Sequence, residues 1–189
     1  ALNGGTENIA TGGDSQLVTV ETGEINIASA GNLELGIRQA DATQTYNVTT
    51  MNIADGNVDL GDISLDGTST PGDTLNIATL NGSGNFNLNT DIAGGKADNI
   101  NITNASNSTA NTLKINYDPS FDTVEQDGTR LVGDVIVVKS PGSVKFTTDS
   151  SEYGPANFTP TLSQDASGNW HLVGYTAKPS TNTLTANDS

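Results

Sequence analysis

The sequence contains no cysteine, so disulfide bonds and thiolate metal sites are excluded. Aromatic residues make up 5% of its 189 residues, with a single tryptophan and a single histidine. The interior must therefore be built mainly from aliphatic side chains. No apolar run reaches the roughly 18 residues that a membrane-spanning helix needs, and no segment has the 3.6-residue period of an amphipathic helix.

Positive charge is also scarce. Seven Lys and Arg residues stand against 22 Asp and Glu, which gives a net charge of −15 and a predicted pI near 4.1. Phosphate backbones and anionic lipid surfaces would be repelled, so we predict no nucleic-acid partner. Solubility outside the cell explains this acidity, and a cation-binding surface is the alternative.

A tripeptide recurs along the first half of the chain, at intervals of 18, 26, 24 and 25 residues. Its copies are Asn8-Ile9-Ala10, Asn26-Ile27-Ala28, Asn52-Ile53-Ala54, Asn76-Ile77-Ala78 and the variant Asn101-Ile102-Thr103. A second motif recurs at similar intervals. Its copies are Gly31-Asn32-Leu33-Glu34-Leu35, Gly56-Asn57-Val58-Asp59-Leu60 and Gly84-Asn85-Phe86-Asn87-Leu88. Two motifs in near register indicate a repeat architecture.

The period and the strict alternation of apolar and polar residues predict an all-β fold, a right-handed parallel β-helix over residues 1–117. Alternate residues should point inward and Asn-Gly or Asp-Gly pairs should form the corners. The predicted inward residues are Ile25, Ile27, Leu33, Leu35, Tyr46, Val48, Ile63, Leu65, Leu75, Ile77, Phe86, Leu88, Ile100, Ile102, Leu113 and Ile115.

One coil of such a helix cannot persist alone. About five aliphatic side chains at ~2 kcal/mol each do not offset the ordering of two dozen residues at ~1–2 kcal/mol each. Coils are stable only when stacked. The outward asparagines have two interpretations: simple tolerance of corners and water, which we favour, or hydrogen-bonded amide ladders along the axis.

The pattern changes at Asp118-Pro119. Residues 118–176 are predicted to form antiparallel hairpins, with turns at Pro141-Gly142 and Ser167-Gly168-Asn169. We predict a β-hairpin cap that covers the open end of the solenoid, with Trp170 as a buried aromatic plug. Residues 177–189 are predicted to be a flexible tail or linker.

The stretch 84–102 resembles the C-terminal part of the passenger domain of classical pertactin-like monomeric autotransporters, the type V secretion proteins of Gram-negative bacteria. The matching signature continues into the cap, where Trp170-His171-Leu172 is similar to the family's closing strand. The residues that carry the resemblance are Phe86, Thr90, Asp91, Gly95, Asp98, Gly142, Phe146 and Trp170.

The resemblance implies a β-helical stem whose capped end, the autochaperone region, leaves the outer-membrane pore first and seeds folding. It implies a fragment of a longer passenger, displayed at or released from the bacterial surface, with its own C-terminal β-barrel translocator as partner. An adhesin or virulence role would involve host glycans, matrix proteins or self-association between cells. It implies no enzyme, and no catalytic, cofactor or metal residue.

The alternative is a β-helical glycosidase or lyase acting on polysaccharide, suggested by Asn89-Thr90-Asp91. The further acids that such an enzyme needs are missing, so we interpret Asp91 as a corner cap that accepts backbone N–H bonds. Asp59, Asp62 and Asp66 lack the spacing of a Ca²⁺ loop. An ice-binding solenoid is a third hypothesis, but its regular threonine array is absent.

Overall fold

The structure, a computed structural model, describes residues 1–36, 43–60, 70–106, 110–116, 118–123, 131–148, 151–153 and 156–177. Ile63, Leu65, Asp62, Asp66 and the predicted tail from 178 onward lie outside these ranges. The first eight strands, β1 to β8, are Leu2–Asn3, Thr6–Ile9, Asp14–Leu17, Val20–Glu21, Glu24–Ile27, Asn32–Leu35, Thr45–Asp59 and Thr74–Leu88.

The described residues of the second half form nine further strands and one short 3-10 helix. Strands β9 to β17 are Thr90–Asp91, Lys96–Ala97, Asn99–Ser106, Asn111–Ile115, Leu131–Lys139, Phe146–Thr148, Ser151–Tyr153, Ala156–Gln164 and Trp170–Ala177. The 3-10 helix, η1, is Pro119–Thr123 and lies between β12 and β13.

The strands of successive coils stack in parallel on three faces. Face 1 contains β1, β4, the first part of β7 and β8, then β11 and the end of β13. Face 2 contains β2, β5, the middle of β7 and β8, and the end of β11. Face 3 contains β3, β6, the ends of β7 and β8, then β12 and β14. The predicted parallel β-helix is confirmed.

Alternation places the apolar side chains inside the coils. Leu33, Leu75, Phe86 and Ile100 have no exposed surface, and every predicted inward residue in the described ranges is buried. The residues between them remain partly or fully exposed, because successive side chains of a strand point to opposite sides. A single apolar column therefore runs through the coils and sets the register of each one.

The glycine that opens the second motif is required by close packing at a corner. A Cβ atom on Gly84 would come within 2.7 Å of Ile53 Cγ1 and 2.8 Å of the Gly56 carbonyl oxygen. A Cβ atom on Gly56 would come within 3.0 Å of the Ala28 carbonyl oxygen. Coils at strand spacing, about 4.8 Å apart, leave no room for a side chain at this position.

The two recurring motifs differ in register. The Gly-Asn motif keeps one column, since Asn32 pairs with Asn57 and Asn57 with Asn85. The Asn-Ile-Ala triplets divide between two columns: Asn26 pairs with Asn52 on face 2, whereas Asn76 lies on face 1. The 24-residue interval from Asn52 to Asn76 therefore connects a position on face 2 with a position on face 1. The same tripeptide fits both faces because each needs one inward isoleucine between two outward residues.

The sheet changes from parallel to antiparallel within β13. Its C-terminal end, at Val138 and Lys139, pairs in parallel with β11. The same strand pairs antiparallel with β17, which pairs with β16, and β16 with β15. The predicted hairpin cap is present, because antiparallel strands cover the last coil. The division at residue 117 stays a prediction, and parallel pairing continues past it into β14.

The predicted hairpin at Pro141-Gly142 is wrong. Strand β14 does not pair with β13 but continues the parallel stack on β12, with Phe146 opposite Asn111. The turn, closed by the Val144 N–H to the Pro141 carbonyl at 3.0 Å, is a coil corner. A Pro-Gly turn between two short strands has the same local sequence in a hairpin and at a corner. Long-range contacts distinguish them, here the pairing of β14 with β12 and the packing of Phe146 against Phe86.

Trp170 is not the buried plug of the cap. It is half-buried, and its indole N–H donates to the Val144 carbonyl at 3.2 Å. Among the described aromatic residues of the cap, Tyr175, on the same strand, is the one without exposed surface. An indole that needs a hydrogen-bond partner lies at the rim, where a carbonyl is available, and the smaller phenol enters the interior.

Candidate functional site

An asparagine ladder runs along face 2. The side-chain amide of Asn26 donates to Asn8 Oδ1 at 2.8 Å, Asn52 donates to Asn26 at 2.7 Å, and Asn81 donates to Asn52 at 2.7 Å. Ser106 extends it with a hydroxyl bond of 2.5 Å to Asn81 Oδ1. We call these residues the face 2 ladder. Each rung links two coils through outward side chains, in addition to the backbone bonds.

Faces 1 and 3 carry similar ladders. On face 3, Asn32 donates to Asp14, Asn57 to Asn32 and Asn85 to Asn57, at 2.8, 2.8 and 3.0 Å. On face 1, the corresponding bonds from Asn47 to Glu21, Asn76 to Asn47 and Asn101 to Asn76 are 3.5, 2.9 and 2.8 Å long.

The ladders correct the preferred interpretation of the asparagines as simply water-tolerant. In-register coils place identical amides one strand spacing apart, where one amide N–H meets the next carbonyl. In all three ladders the rung nearer the C terminus donates to the rung nearer the N terminus. An acidic side chain can only accept, and Asp14 and Glu21 therefore occupy the N-terminal ends of two ladders.

A shallow groove of about 750 Å³ follows the corner between faces 2 and 3. Ala10, Ala28 and Ala54 line it, with the face 2 ladder along its length and Asp55 and Ser83 nearby. Small side chains at this corner make the surface concave. The groove presents periodic amide groups beside apolar methyl groups, which is a surface suited to an extended, hydrogen-bonding ligand.

A buried hydrogen-bond junction joins the last coils to the cap. Asp118 Oδ2 accepts bonds from the Thr90 hydroxyl at 2.8 Å, the Ile92 N–H at 3.0 Å and the Tyr175 hydroxyl at 3.1 Å. Asp118 Oδ1 accepts from the Ser120 N–H at 2.9 Å. We call Thr90, Asp118 and Tyr175 the cap junction. All three side chains are at least 99% buried, so this carboxyl group connects three separate elements without access to solvent.

Aromatic rings surround the cap junction. Phe121, on η1, packs against Tyr175 and Phe158 with ring centroids 4.6 and 4.5 Å apart. A second group forms a row from the coil interior to the rim: Phe86 lies 6.2 Å from Phe146, which lies 6.0 Å from Trp170. The few aromatic residues of the chain are concentrated at its C-terminal end, where the repeat stops.

The structure distributes the predicted signature residues over this junction. Phe86, Phe146 and Trp170 form the aromatic row, and Thr90 belongs to the cap junction. Gly95 has φ +71° in the turn after β9, and Gly142 lies in the coil corner after β13. Asp91 accepts the Gly94 N–H at 2.9 Å, which confirms the predicted corner cap. It also accepts the Ser120 hydroxyl at 3.1 Å.

Asp98, the remaining signature residue, is fully buried between coils. Its Oδ1 accepts the N–H groups of Gly72 and Asp73, both at 2.9 Å, and its Oδ2 accepts that of Asn89 at 2.7 Å. Burial raises the pKa of Asp98 to about 8, although the three N–H donors act in the opposite direction. The Asp98 carboxyl group thus connects the backbone segment before β8 to the segment after it.

His171 lies at the rim of the cap between two carboxyl groups. Its Nδ1 is 2.6 Å from Asp134 Oδ1, and its Nε2 is 2.8 Å from Asp165 Oδ2. Hydrogen bonds with Asp165 and Asp134 raise the pKa of His171. The bond with His171 is also the main cause that lowers the pKa of Asp165. The imidazole therefore connects β13, β17 and the turn before β17.

Sequence reasoning missed Asp118 and Tyr175 as a junction. From the sequence alone, Asp118 is only the residue at which the repeat pattern changes, before Pro119. The available signal was Asp-Pro-Ser, in which an acid precedes the first residue of a short helix and accepts an N–H of its first turn. Nothing in the sequence indicated that Tyr175 would reach the same carboxyl group, because the pair is 57 residues apart.

The described residues do not bring together catalytic groups around Asn89-Thr90-Asp91. Asn89 and Thr90 are each 1% exposed, and Asp91 has structural hydrogen-bond partners. Within the same ranges there is no group of three or more His, Asp or Glu side chains arranged to hold a metal ion. Nor does any helix there have the length and apolarity to cross a bilayer.

A family model described as Pertactin matches residues 48–174. This chain belongs to the pertactin family. The match spans the later coils, Thr90 and Asp118 of the cap junction, and the cap up to residue 174. The resemblance expected from residues 84–102 and the cap strands is confirmed. As a member of this family, the chain is an autotransporter passenger β-helix. Among curated proteins no match is found.

Proposed function

We propose that this chain is the supporting stem of a surface-displayed passenger and that its capped end seeds folding during secretion. The observation that carries the proposal is the cap junction. Thr90, Asp118 and Tyr175 join a coil, η1 and the closing strand through buried bonds of 2.8–3.1 Å. A coil closed in this way is a template on which each further coil can stack.

Stacking that proceeds from the C-terminal coil toward the N terminus would draw the chain outward without energy from nucleotide hydrolysis. A coil added on the N-terminal side gains backbone bonds and ladder bonds only after its C-terminal neighbour is in place. Family membership supports secretion as an autotransporter passenger, and we propose the cell surface or the extracellular medium as its destination. The proposed partner in secretion is a C-terminal β-barrel translocator, by which the passenger is anchored or from which it is released.

The folding-seed role is tested by display of the passenger fused to a type V translocator. Tyr175→Ala removes the contribution of the closing strand to the cap junction. Ile25→Ala creates a cavity in a lower coil, where Ile25 has no exposed surface. We expect Tyr175→Ala to lower surface display and protease resistance much more than Ile25→Ala. Denaturation of the purified chains shows whether the two variants have comparable unfolding free energies. Equal display at equal stability would contradict a seeding role.

Adhesion is the second proposed role, and the groove beside the face 2 ladder supports it. Its periodic amides can hydrogen-bond an extended host glycan or matrix chain, or an identical molecule on another cell. The charge of −15 favours neutral or basic partners. Binding to neutral glycan and matrix arrays, and bacterial aggregation, should fall on Ala28→Trp, which fills the groove. The exposed substitution Val132→Thr, on β13, is the control. Unchanged binding and aggregation would exclude the groove.

We propose no catalytic activity for this segment, in keeping with the buried environment of Thr90 and the structural bonds of Asp91. The alternative, a glycosidase or lyase, predicts release of reducing sugar or of unsaturated product from pectin-like polymers. Product release that is lost in Asp91→Asn would favour the enzyme over the stem.

A further inference from the structure

Two buried carboxyl groups lie above one another on adjacent coils. Asp98 immediately precedes β11 and Asp73 immediately precedes β8, and these strands begin with the pair Asn99 and Thr74. Asp98 has no exposed surface and Asp73 has 1%. Both side chains reach toward the coil below, because Asp98 accepts the N–H of Asp73 and Asp73 accepts the N–H of Gln44. The column therefore links three successive coils.

The surroundings of Asp98 are unfavourable to a negative charge. Burial is the main cause that raises its pKa, and the Asp73 carboxyl group adds a smaller contribution in the same direction. The neighbouring strand residues Leu75 and Ile100 are fully buried, and so is Tyr46 on the coil below. The Asp73 carboxyl group itself lies within 3.7 Å of the position that a Cβ atom on Gly36 would occupy, a further sign of close packing. Burial among apolar side chains disfavours the ionised form of a carboxyl group.

We propose that Asp98 forms a proton-dependent lock between coils, closed while its carboxyl group holds a proton and loosened when that group is ionised. The neutral acid keeps the geometry. Its carbonyl oxygen accepts the N–H groups of Gly72 and Asp73, and its hydroxyl oxygen retains a lone pair for Asn89. In mildly alkaline solution the proton leaves to solvent, and the resulting charge remains in a buried site that disfavours it.

The direction of the pH dependence follows from the raised pKa. The ordinary value for this carboxyl group is 3.8, whereas the folded chain holds it at about 8. Between these two values the folded state binds a proton that the unfolded state has released. The contribution of Asp98 to stability is therefore full in acid and is lost as pH rises toward about 8. The folding equilibrium constant should fall about tenfold per pH unit in this window.

The test compares urea unfolding of the isolated chain from pH 5 to 9 in the wild type, Asp98→Asn and Asp91→Asn. An amide resembles the neutral acid and cannot ionise. In Asp98→Asn, the slope of the unfolding free energy against pH should therefore decrease by about the amount that corresponds to one proton. Asp91→Asn is the matched control, because Asp91 also accepts a backbone N–H but lies at an accessible corner. It should keep the wild-type slope. An unchanged slope in Asp98→Asn would overturn the lock.

A second measurement keeps the proposal falsifiable if Asp98→Asn does not fold. In the wild-type chain, the carboxyl ¹³C signal of Asp98 should titrate with a midpoint near 8. The amide signals of Gly72, Asp73 and Asn89 should shift with the same midpoint. Titration of Asp98 near 4 would refute the proposal. Both measurements use the purified chain, so they are independent of the proposed roles in secretion and adhesion.

Discussion

The lower coils and the C-terminal junction are held together by different kinds of contact. In the lower coils, each interior residue and each ladder amide has an equivalent one coil away, as Asn26 has in Asn8 and Asn52. At the junction, Tyr175 has no such equivalent, and its partners Asp118 and Thr90 lie 57 and 85 residues away in the sequence. Repetition distributes stability over many similar contacts, whereas the junction concentrates it in a few.

Substitutions at the cap junction should therefore destabilise the chain more than substitutions in a ladder. Loss of one ladder bond leaves the backbone bonds and the neighbouring rungs in place. Loss of one cap-junction side chain leaves a buried carboxyl group short of donors, which is costly in an interior that excludes water. The following predictions compare the two regions, from the largest expected effect to the smallest.

Tyr175→Ala should cost about 3–5 kcal/mol of unfolding free energy, because it removes a fully buried ring and one donor to Asp118. Urea denaturation measures the loss. Tyr175→Phe retains the ring and should cost about 1–3 kcal/mol. If both variants lie within 0.5 kcal/mol of the wild type, a rough limit for surface substitutions, the junction is not where stability is concentrated.

Gly84→Ala should cost about 1–3 kcal/mol through overpacking against Ile53. Gly142→Ala is the control, since a Cβ atom there meets nothing within 4 Å. The midpoints of thermal unfolding of the two variants check the expectation. A Gly84 variant as stable as the Gly142 variant would show that the coils can separate at this corner without penalty.

Asn52→Ala should cost about 1 kcal/mol, because an interior rung both donates to Asn26 and accepts from Asn81. Asn8→Ala, at the N-terminal end of the described ladder, should cost less, since Asn8 accepts a single ladder bond. Denaturant titration of both variants measures the difference. The reverse order of stability would argue against ladder bonds as stabilising contacts.

His171 should give the smallest effect, because Asp134 and Asp165 are partly exposed and water screens the pairs. The pKa of His171 is raised in the folded state, so its contribution is full below about 6.5 and is lost as pH rises through the raised value. His171→Gln should remove a small decline in cap stability in this range, measured by tryptophan fluorescence. A decline of wild-type size in the variant would exclude this role.

The interior of the coils could be predicted from the sequence because it depends on a local pattern. Leu33, Phe86 and Ile100 alternate with polar residues, and alternation alone decides which side chains face inward. The glycine of the second motif could be recognised as a corner residue for a similar reason. The ladders were harder to predict, because an outward asparagine looks the same whether or not its neighbour one coil away is also asparagine.

The end of the solenoid could not be derived in the same way. The Pro141-Gly142 turn has the composition of a hairpin, and its role as a coil corner depends on the distant packing of Phe146 against Phe86. Trp170 was the obvious candidate for a plug by size, yet the hydroxyl group of Tyr175 finds buried partners in Thr90 and Asp118. Contacts between residues 57 or 85 apart leave no periodic trace in one sequence.

Hydrogen exchange in the native state, followed residue by residue in low concentrations of denaturant, tests the central claim most directly. The account predicts that the backbone N–H groups of Ile92 and Ser120, which are bonded to Asp118, exchange only with global unfolding. Those of Ala28 and Asn32, in the lower coils, should exchange at a lower free energy of opening. Lower coils that remain protected after the cap junction has exchanged would contradict it.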